Sequence, residues 1–377
     1  MNRNTFFAAA ISGFALQTTL FAGSGSCTPF LDSQTTTEAN MATISHTARQ
    51  NRPIQLGTSG GSTVDLANGY CCSGTLGALV KDSKGTLYIL SNTHVFAGDS
   101  APGGNGKISA KGDPINQPGY VDINCQNKTG DYVATLEKWI PLVANGISSV
   151  DAAIAKTSTN MVNSLGKILQ IGTISSTPRA AFVGQRVKKS GRTSGLTTGQ
   201  VAALNATISV QYPNECAGRT FTTTFRNQIL VTPGRFLQGG DSGSLLVENV
   251  ARNPRPIGLL FAGSSTVAVA NPIQQVLSAL QVTMVGITTP AAKPTIFEKS
   301  TSDSFALVAR AQAKHGDRLL QMPGVCGHAV GVSQNNPKTH VVLLLVTEST
   351  DDLLAQLPQQ LDGVPVEVLE VGTITAY

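Results

Sequence analysis

Three side chains of the types that acyl transfer requires occur in this chain in one order. Ser242 lies in "LQGGDSGSLL" (237–246), His94 in "SNTHVFAG" and Asp151 at the head of "DAAIAK". A serine hydroxyl is a poor nucleophile near neutral pH; it needs a base beside it and N–H donors facing the developing oxyanion. An imidazole supplies the base, and a carboxylate holds its tautomer and stabilises its cation. The intervals are 57 and 91 residues, enough for each member to arrive on a separate loop. The order His, Asp, Ser differs from that of subtilisins and of α/β-hydrolases, and Ser244 breaks the Gly-x-Ser-x-Gly that a strand–elbow–helix nucleophile requires. Taken singly, each segment has a plain alternative. "GDSG" can be a turn, a strand-end histidine can be idle, and Asp151 can cap a loop.

The elements that must position these residues are mostly short strands. The 377 residues suggest two or three cores; 41% are hydrophobic and 13% charged, with 38 Gly and 18 Pro, a composition that leans towards strands and turns. "GTLGALV", "TLYILSNTHVF", "YVATLEKWIPL" and "VDAAIAKT" read as strands of one region. "KILQIGTIS", "QRVKKSG", "TTGQVAALNATISVQY", "FRNQILVTP", "GSLLVE" and "PIGLLFAGSS" read as strands of a second, closed by a helix in "NPIQQVLSAL" behind Pro272. Two successive all-β regions suggest two packed antiparallel barrels. The fold class expected is mainly β: a double antiparallel six-stranded β-barrel followed by a small C-terminal α/β domain.

The boundaries expected are a signal peptide at 1–26, an arm at 27–60, a first barrel at 61–158 and a second at 159–285. A Pro- and Thr-rich linker at 286–300 leads to an α/β module at 301–377, in the order helix, strand, strand, helix, strand. Ser302 or Asp303 is expected to cap its first helix, and Ser349 or Thr350 its second. Arg3, the apolar stretch Phe6–Ala22 and the small residues after it point to export, secreted or periplasmic, with a faint lipid-anchor signal at Cys27.

The net charge of +5 is modest and its lysines and arginines are scattered, so nucleic acid is not an expected partner. None of the six cysteines has zinc-site spacing, and no metal or other cofactor is expected. In an exported chain a disulfide from Cys71 or Cys72 to Cys125 is possible; buried thiols are the alternative.

Together, "THV" at 93–95, "DAAIA" at 151–155 and "GDSG" at 240–243 resemble the three catalytic segments of chymotrypsin-fold (trypsin-like) serine proteases. "VKKSGRTSGLTTGQVAALN" at 187–205 resembles the hairpin of bacterial streptogrisin-like and α-lytic-type enzymes, with Lys188 and Thr198 where those have a disulfide pair. The histidine segment also resembles HtrA-type proteases. The resemblance covers about 60–285 and implies a serine endopeptidase acting on protein or peptide substrates. It implies Ser242 as nucleophile, His94 as base and then acid, and Asp151 as its support. Backbone N–H groups of Gly240 and Ser242 would face the oxyanion, aimed by the glycines at 239 and 240. Asp241 would be a structural carboxylate paired with Lys189, with Arg192 a second candidate. The strand "GLLFAGSS" would bind substrate through Ala262, Gly263 and Ser264. Phe236 and Phe261 are either pocket walls or core, and a small or apolar residue is expected before the cleaved bond. Ala262 stands where many relatives have a serine supporting the aspartate, so Asp151 is expected to be held differently. The C-terminal module would be a folding aid, a pro-region or an autoinhibitory cover; a protease-like binding protein with an idle triad is the rival function.

Overall fold

The structure is a computed structural model that describes residues 45–64, 66–67, 70–98, 109–126, 128–213, 220–290 and 296–377. The signal-peptide and lipid-anchor expectations, and residues 291–295 of the expected linker, lie outside the described residues. Residues 44–377 form one compact unit. The fold is mainly β, a chymotrypsin-like double β-barrel carrying a C-terminal α/β part.

The first barrel is a curled eight-stranded sheet. Its hydrophobic strands pair in register: Ala78–Lys81 with Leu87–Ser91, and Leu87–Ser91 with Ala153–Lys156, so that Ala153 stands opposite Ser91. That pairing brings the ends of two strands together, one leading to His94 and the other following Asp151. The "NTHVF" end is not strand, as expected, but a single helical turn, Thr93–Phe96. The Ala97 N–H donates to the Thr93 carbonyl to close it, and all four residues are buried.

The second sheet has twelve strands. At its centre Gly195–Tyr212 pairs with Phe221–Thr232 and, across the hairpin, with Arg186–Gly191, placing Lys188 opposite Thr198. Leu245–Glu248 and Pro256–Gly263 complete the wall behind Ser242. "KILQIGTIS" makes only isolated bridges instead of a strand, because Gly166, Gln170 and Gly172 take positive φ and keep turning the chain.

The two barrels are strapped together. The helix Ile273–Leu280 follows the second barrel in sequence, yet Ile273, Val276, Leu277 and Leu280 are buried in the core of the first. After it, Thr283–Met284 adds to the edge of Ala78–Lys81. Burying four such side chains contributes roughly 6–12 kcal/mol before chain entropy is counted.

The C-terminal part keeps the expected element order, but it is no detached module. Val325–Val332 pairs with Gly195–Tyr212, so the second sheet runs on into it. The helix Ile296–Leu319 begins before Ser302 and Asp303, which therefore lie inside it rather than cap it. The second helix, Asp351–Gln356, starts where expected, with the Thr350 hydroxyl accepting from the Leu353 N–H. Beyond Val364–Glu370 the chain returns to the barrels: Thr375–Ala376 forms a short strand between Gln211 and the segment Ala262–Gly263.

Candidate active site

His94 pairs with Asp151, and the Ser242 hydroxyl shares the Phe261 carbonyl with the N–H of Tyr377, whose own carbonyl oxygen reaches His94. Ser242 and Asp151 are fully buried and His94 is 5% exposed. His94 Nδ1 lies 2.5 Å from Asp151 Oδ2. The other carboxylate oxygen accepts from the Thr93 N–H at 2.7 Å and the His94 N–H at 3.3 Å, both on the turn that presents the imidazole. Asn92 donates its side-chain amide to the Asp151 carbonyl, and Asn271 Oδ1 accepts from the Asp151 N–H. The aspartate is thus held at backbone and side chain before the imidazole reaches it.

Sequence reasoning expected a different support for Asp151 but did not find it. The support is Tyr212, at the end of the long strand Gly195–Tyr212, whose hydroxyl donates to Asp151 Oδ2 at 2.7 Å. Its ring is fully buried, stacks on Phe221 at 5.0 Å and meets His94 edge-on at 5.8 Å. Burial and the neighbouring Asp151 charge raise the Tyr212 pKa well above its ordinary value, which keeps the phenol a donor.

Asp241 is the structural carboxylate expected. Its Oδ2 sits 2.9 Å from Lys189 Nζ, both side chains fully buried. It also accepts from the backbone N–H groups of Thr193, Ser194 and Gln238 and from the Ser194 hydroxyl. Burial pushes the Lys189 pKa down, and Asp241 only partly restores it. Arg192, the second candidate partner, pairs instead with Asp122.

Of the two glycines before the nucleophile, only Gly240 has positive φ, at +91°. A Cβ there would stand 2.6 Å from Thr193 Oγ1, so both conformation and space demand glycine. Among the described residues neither the Gly240 N–H nor the Ser242 N–H has a backbone acceptor. The loop is clamped from the first barrel. The Thr75 N–H donates to the Ser242 carbonyl, the Thr75 hydroxyl donates to the Gly240 carbonyl, and that hydroxyl accepts from the Arg192 N–H. Two residues on, a Cβ at Gly77 would fall 2.0 Å from the Gly243 carbonyl oxygen. The barrels touch there backbone to backbone.

The expected substrate strand is occupied. Ala262 pairs with Ala376 and Gly263 with Thr375, antiparallel, and the Tyr377 N–H donates to the Phe261 carbonyl at 3.4 Å. Ser264 does not take part; its N–H donates to Val267 and its hydroxyl contacts Thr266, closing a turn. Phe236 and Phe261 are both buried in apolar clusters. The Phe236 ring belongs to the buried cluster against which Tyr377 packs. The Phe261 ring is core, 4.7 Å from that of Phe225, and only its carbonyl reaches the cleft.

Ser242 and His94 are not hydrogen-bonded to each other among the described contacts. The Ser242 hydroxyl donates to the Phe261 carbonyl at 3.0 Å, and His94 Nε2 lies 3.0 Å from the Tyr377 carbonyl oxygen. Both ring nitrogens face oxygen acceptors, Asp151 Oδ2 at Nδ1 and the Tyr377 carbonyl oxygen at Nε2, an arrangement that favours the protonated ring. Burial alone lowers the His94 pKa, but the Asp151 charge, its hydrogen bond and the Tyr377 carbonyl outweigh it, and the net shift is upward.

Cys71 is joined to Cys125, one of the two pairings left open, and Cys326 is free. The described residues contain no cluster of His, Cys, Asp and Glu able to hold a metal ion.

The family model described as the Nal1 C-terminal domain matches residues 123–274, a span that holds Asp151 and Ser242 and begins after His94. Protein NARROW LEAF 1 of Oryza sativa subsp. japonica is 30% identical over 211 residues, 51% of this chain and 34% of that protein. The chain spans about a third of the length of this curated relative. A chymotrypsin of Cellulomonas bogoriensis is 22% identical, with a TM-score of 0.37 over 63% of this chain and 99% of that one. Protease A of Thermobifida fusca is 16% identical, with a TM-score of 0.40 over 62% and 98%. The chain is thus similar to the Nal1 C-terminal domain across 123–274 and, at low identity, to solved serine-protease structures across about three fifths of its length.

Proposed function

We propose that this chain is a serine endopeptidase that hydrolyses peptide bonds through Ser242, His94 and Asp151. The observation that carries the reading is the buried His94–Asp151 pair beside the Ser242 loop, held by donors on every side of the carboxylate. In the reaction the Ser242 Oγ attacks the scissile carbonyl carbon and its proton passes to His94 Nε2. The tetrahedral oxyanion is met by the Gly240 and Ser242 N–H groups. Collapse breaks the C–N bond, and the Nε2 proton leaves on the amine. Water then attacks the acyl-enzyme with His94 again as base, releasing the acid and restoring the serine. Asp151 holds the imidazole in its tautomer and stabilises its cation.

One observation favours the rival reading of a binding protein with an idle triad: Ser242 and His94 are each bonded elsewhere. Labelling with a fluorophosphonate probe separates the two. Wild type is expected to label at one site, and Ser242→Ala and His94→Ala to lose the label. A folded protein that never labels, with or without its C-terminal tail engaged, sinks the peptidase reading.

Export fits the Cys71–Cys125 disulfide, which belongs to an oxidising compartment. No described helix is long and apolar enough to cross a membrane.

A further inference from the structure

We infer that the segment Ile374–Tyr377 is a tethered occupant of the cleft that lies as the acyl half of a substrate lies, with Tyr377 as the residue before the cleaved bond. The inference rests on the peptidase reading and adds a substrate class and a regulation to it. Three independent contacts set the register. Thr375 and Ala376 pair antiparallel with Gly263 and Ala262, so the segment adds a strand to the sheet edge. The Tyr377 N–H reaches the Phe261 carbonyl, the acceptor that also holds the Ser242 hydroxyl. The Tyr377 carbonyl oxygen stands at His94 Nε2, beside the atom that must receive the serine proton.

The side chains agree with that register. The Tyr377 ring packs on the buried apolar cluster that contains Phe236, Leu237, Val201 and Val231. It also passes over Gly263, where a Cβ would lie 3.1 Å from its Cε2 atom. A glycine there leaves room for a flat ring. Ile374 and Ala376 point the other way and are buried with Phe261, Tyr212 and Val371, which anchors the segment to the body of the protein. On the far side the Gln211 N–H donates to the Ile374 carbonyl at 2.9 Å.

Two consequences follow for function. The pocket accepts an aromatic residue, so the preferred substrates are peptides with Tyr or Phe before the scissile bond, in place of the small or apolar residue expected from sequence. And the docked tail blocks chemistry twice: it fills the acyl side of the cleft, and it occupies the Nε2 position that His94 needs free to take a proton. The substrate and the tail compete for one strand edge.

The test uses the full chain and Tyr377→Ala, which keeps the buried anchors Ile374 and Ala376. Fluorophosphonate labelling of Ser242 is expected to be at least about tenfold faster in Tyr377→Ala, the factor equivalent to about 1.4 kcal/mol of docking. In the same variant, peptides with Tyr or Phe before the cleaved bond should outcompete those with Lys or Glu, and the peptide Ile-Thr-Ala-Tyr should inhibit in trans. Equal labelling of both proteins overturns the inference while leaving the peptidase reading intact. If neither protein labels, the proton NMR signal of the His94 imidazole decides. A resonance altered between wild type and Tyr377→Ala keeps the tail in the cleft and removes the peptidase reading; an unaltered one overturns the inference as well.

Discussion

Replacing Lys189 by Met tests whether the buried Asp241 pair holds the nucleophile loop in shape. Both partners are fully buried and 2.9 Å apart, so the substitution leaves a carboxylate without its counter-charge in a site sealed from water. Removing one member of such a pair costs roughly 3–5 kcal/mol. The lower end applies here, because three backbone N–H groups and the Ser194 hydroxyl still face the carboxylate. A loss of about 3 kcal/mol is a large part of a typical folding stability of about 5–15 kcal/mol. Urea unfolding followed by circular dichroism should therefore show a clearly lower midpoint at unchanged slope. Labelling at Ser242 should fall as well, since Gln238, Thr193 and Ser194 are all tied to the same carboxylate and shape the turn that aims the Gly240 N–H. The double variant Lys189→Met, Asp241→Asn removes the stranded charge and should recover at least half of the lost stability. A Lys189→Met protein within about 1 kcal/mol of wild type, or a double variant no better than the single one, would refute the reasoning.

Tyr212→Phe keeps the stack on Phe221 and deletes only the donor to Asp151. A hydrogen bond to a charged group contributes about 1.5–3 kcal/mol, so kcat/KM of the opened enzyme should fall roughly tenfold or more with a small change in KM. For pH the sign follows from the raised His94 pKa. Its imidazolium stabilises the folded, tail-docked state fully below the ordinary histidine value of about 6.5, and this is lost as pH climbs through the folded value. The charge acting on it is Asp151; the Tyr212 ring meets it edge-on as a neutral phenol, and Tyr377 reaches it through its backbone oxygen. The pH midpoint of Ser242 labelling should therefore lie higher in wild type than in Tyr377→Ala; identical midpoints would detach the tail from the titration of His94.

Much of this architecture was legible in residue patterns, for reasons that the structure makes physical. His94, Asp151 and Ser242 stood out because glycines and small polar residues surround them where strands end, and loops at strand ends are where side chains can converge. Lys188 and Thr198 are matched as a pair by the resemblance to a hairpin that carries a disulfide there, and the structure sets them opposite each other. Tyr212 was not legible: it lies 61 residues from Asp151 in sequence, and nothing local marks a tyrosine in an alternating strand as a carboxylate's partner. The first C-terminal helix was placed too late because polar "EKSTSD" looks like a cap-rich linker, whereas the residues after it carry enough helix propensity to extend backwards through it. The tail was missed for a related reason. "VGTITAY" has the pattern of any edge strand, and only the fold reveals that it joins Ala262–Gly263, the edge that the family resemblance assigns to substrate.

Thr75 ties the two barrels to each other at the nucleophile loop. One short side chain from the first barrel grips the Gly240 carbonyl and the Arg192 N–H, while its backbone grips Ser242. The reactive geometry is therefore a property of neither barrel but of their docking, with no slack at Gly77 to absorb a shift. Such a joint behaves as a coincidence detector. On the peptidase reading, Ser242 would react only while both halves are folded and seated, and a slight slip between them would silence it before either barrel melts.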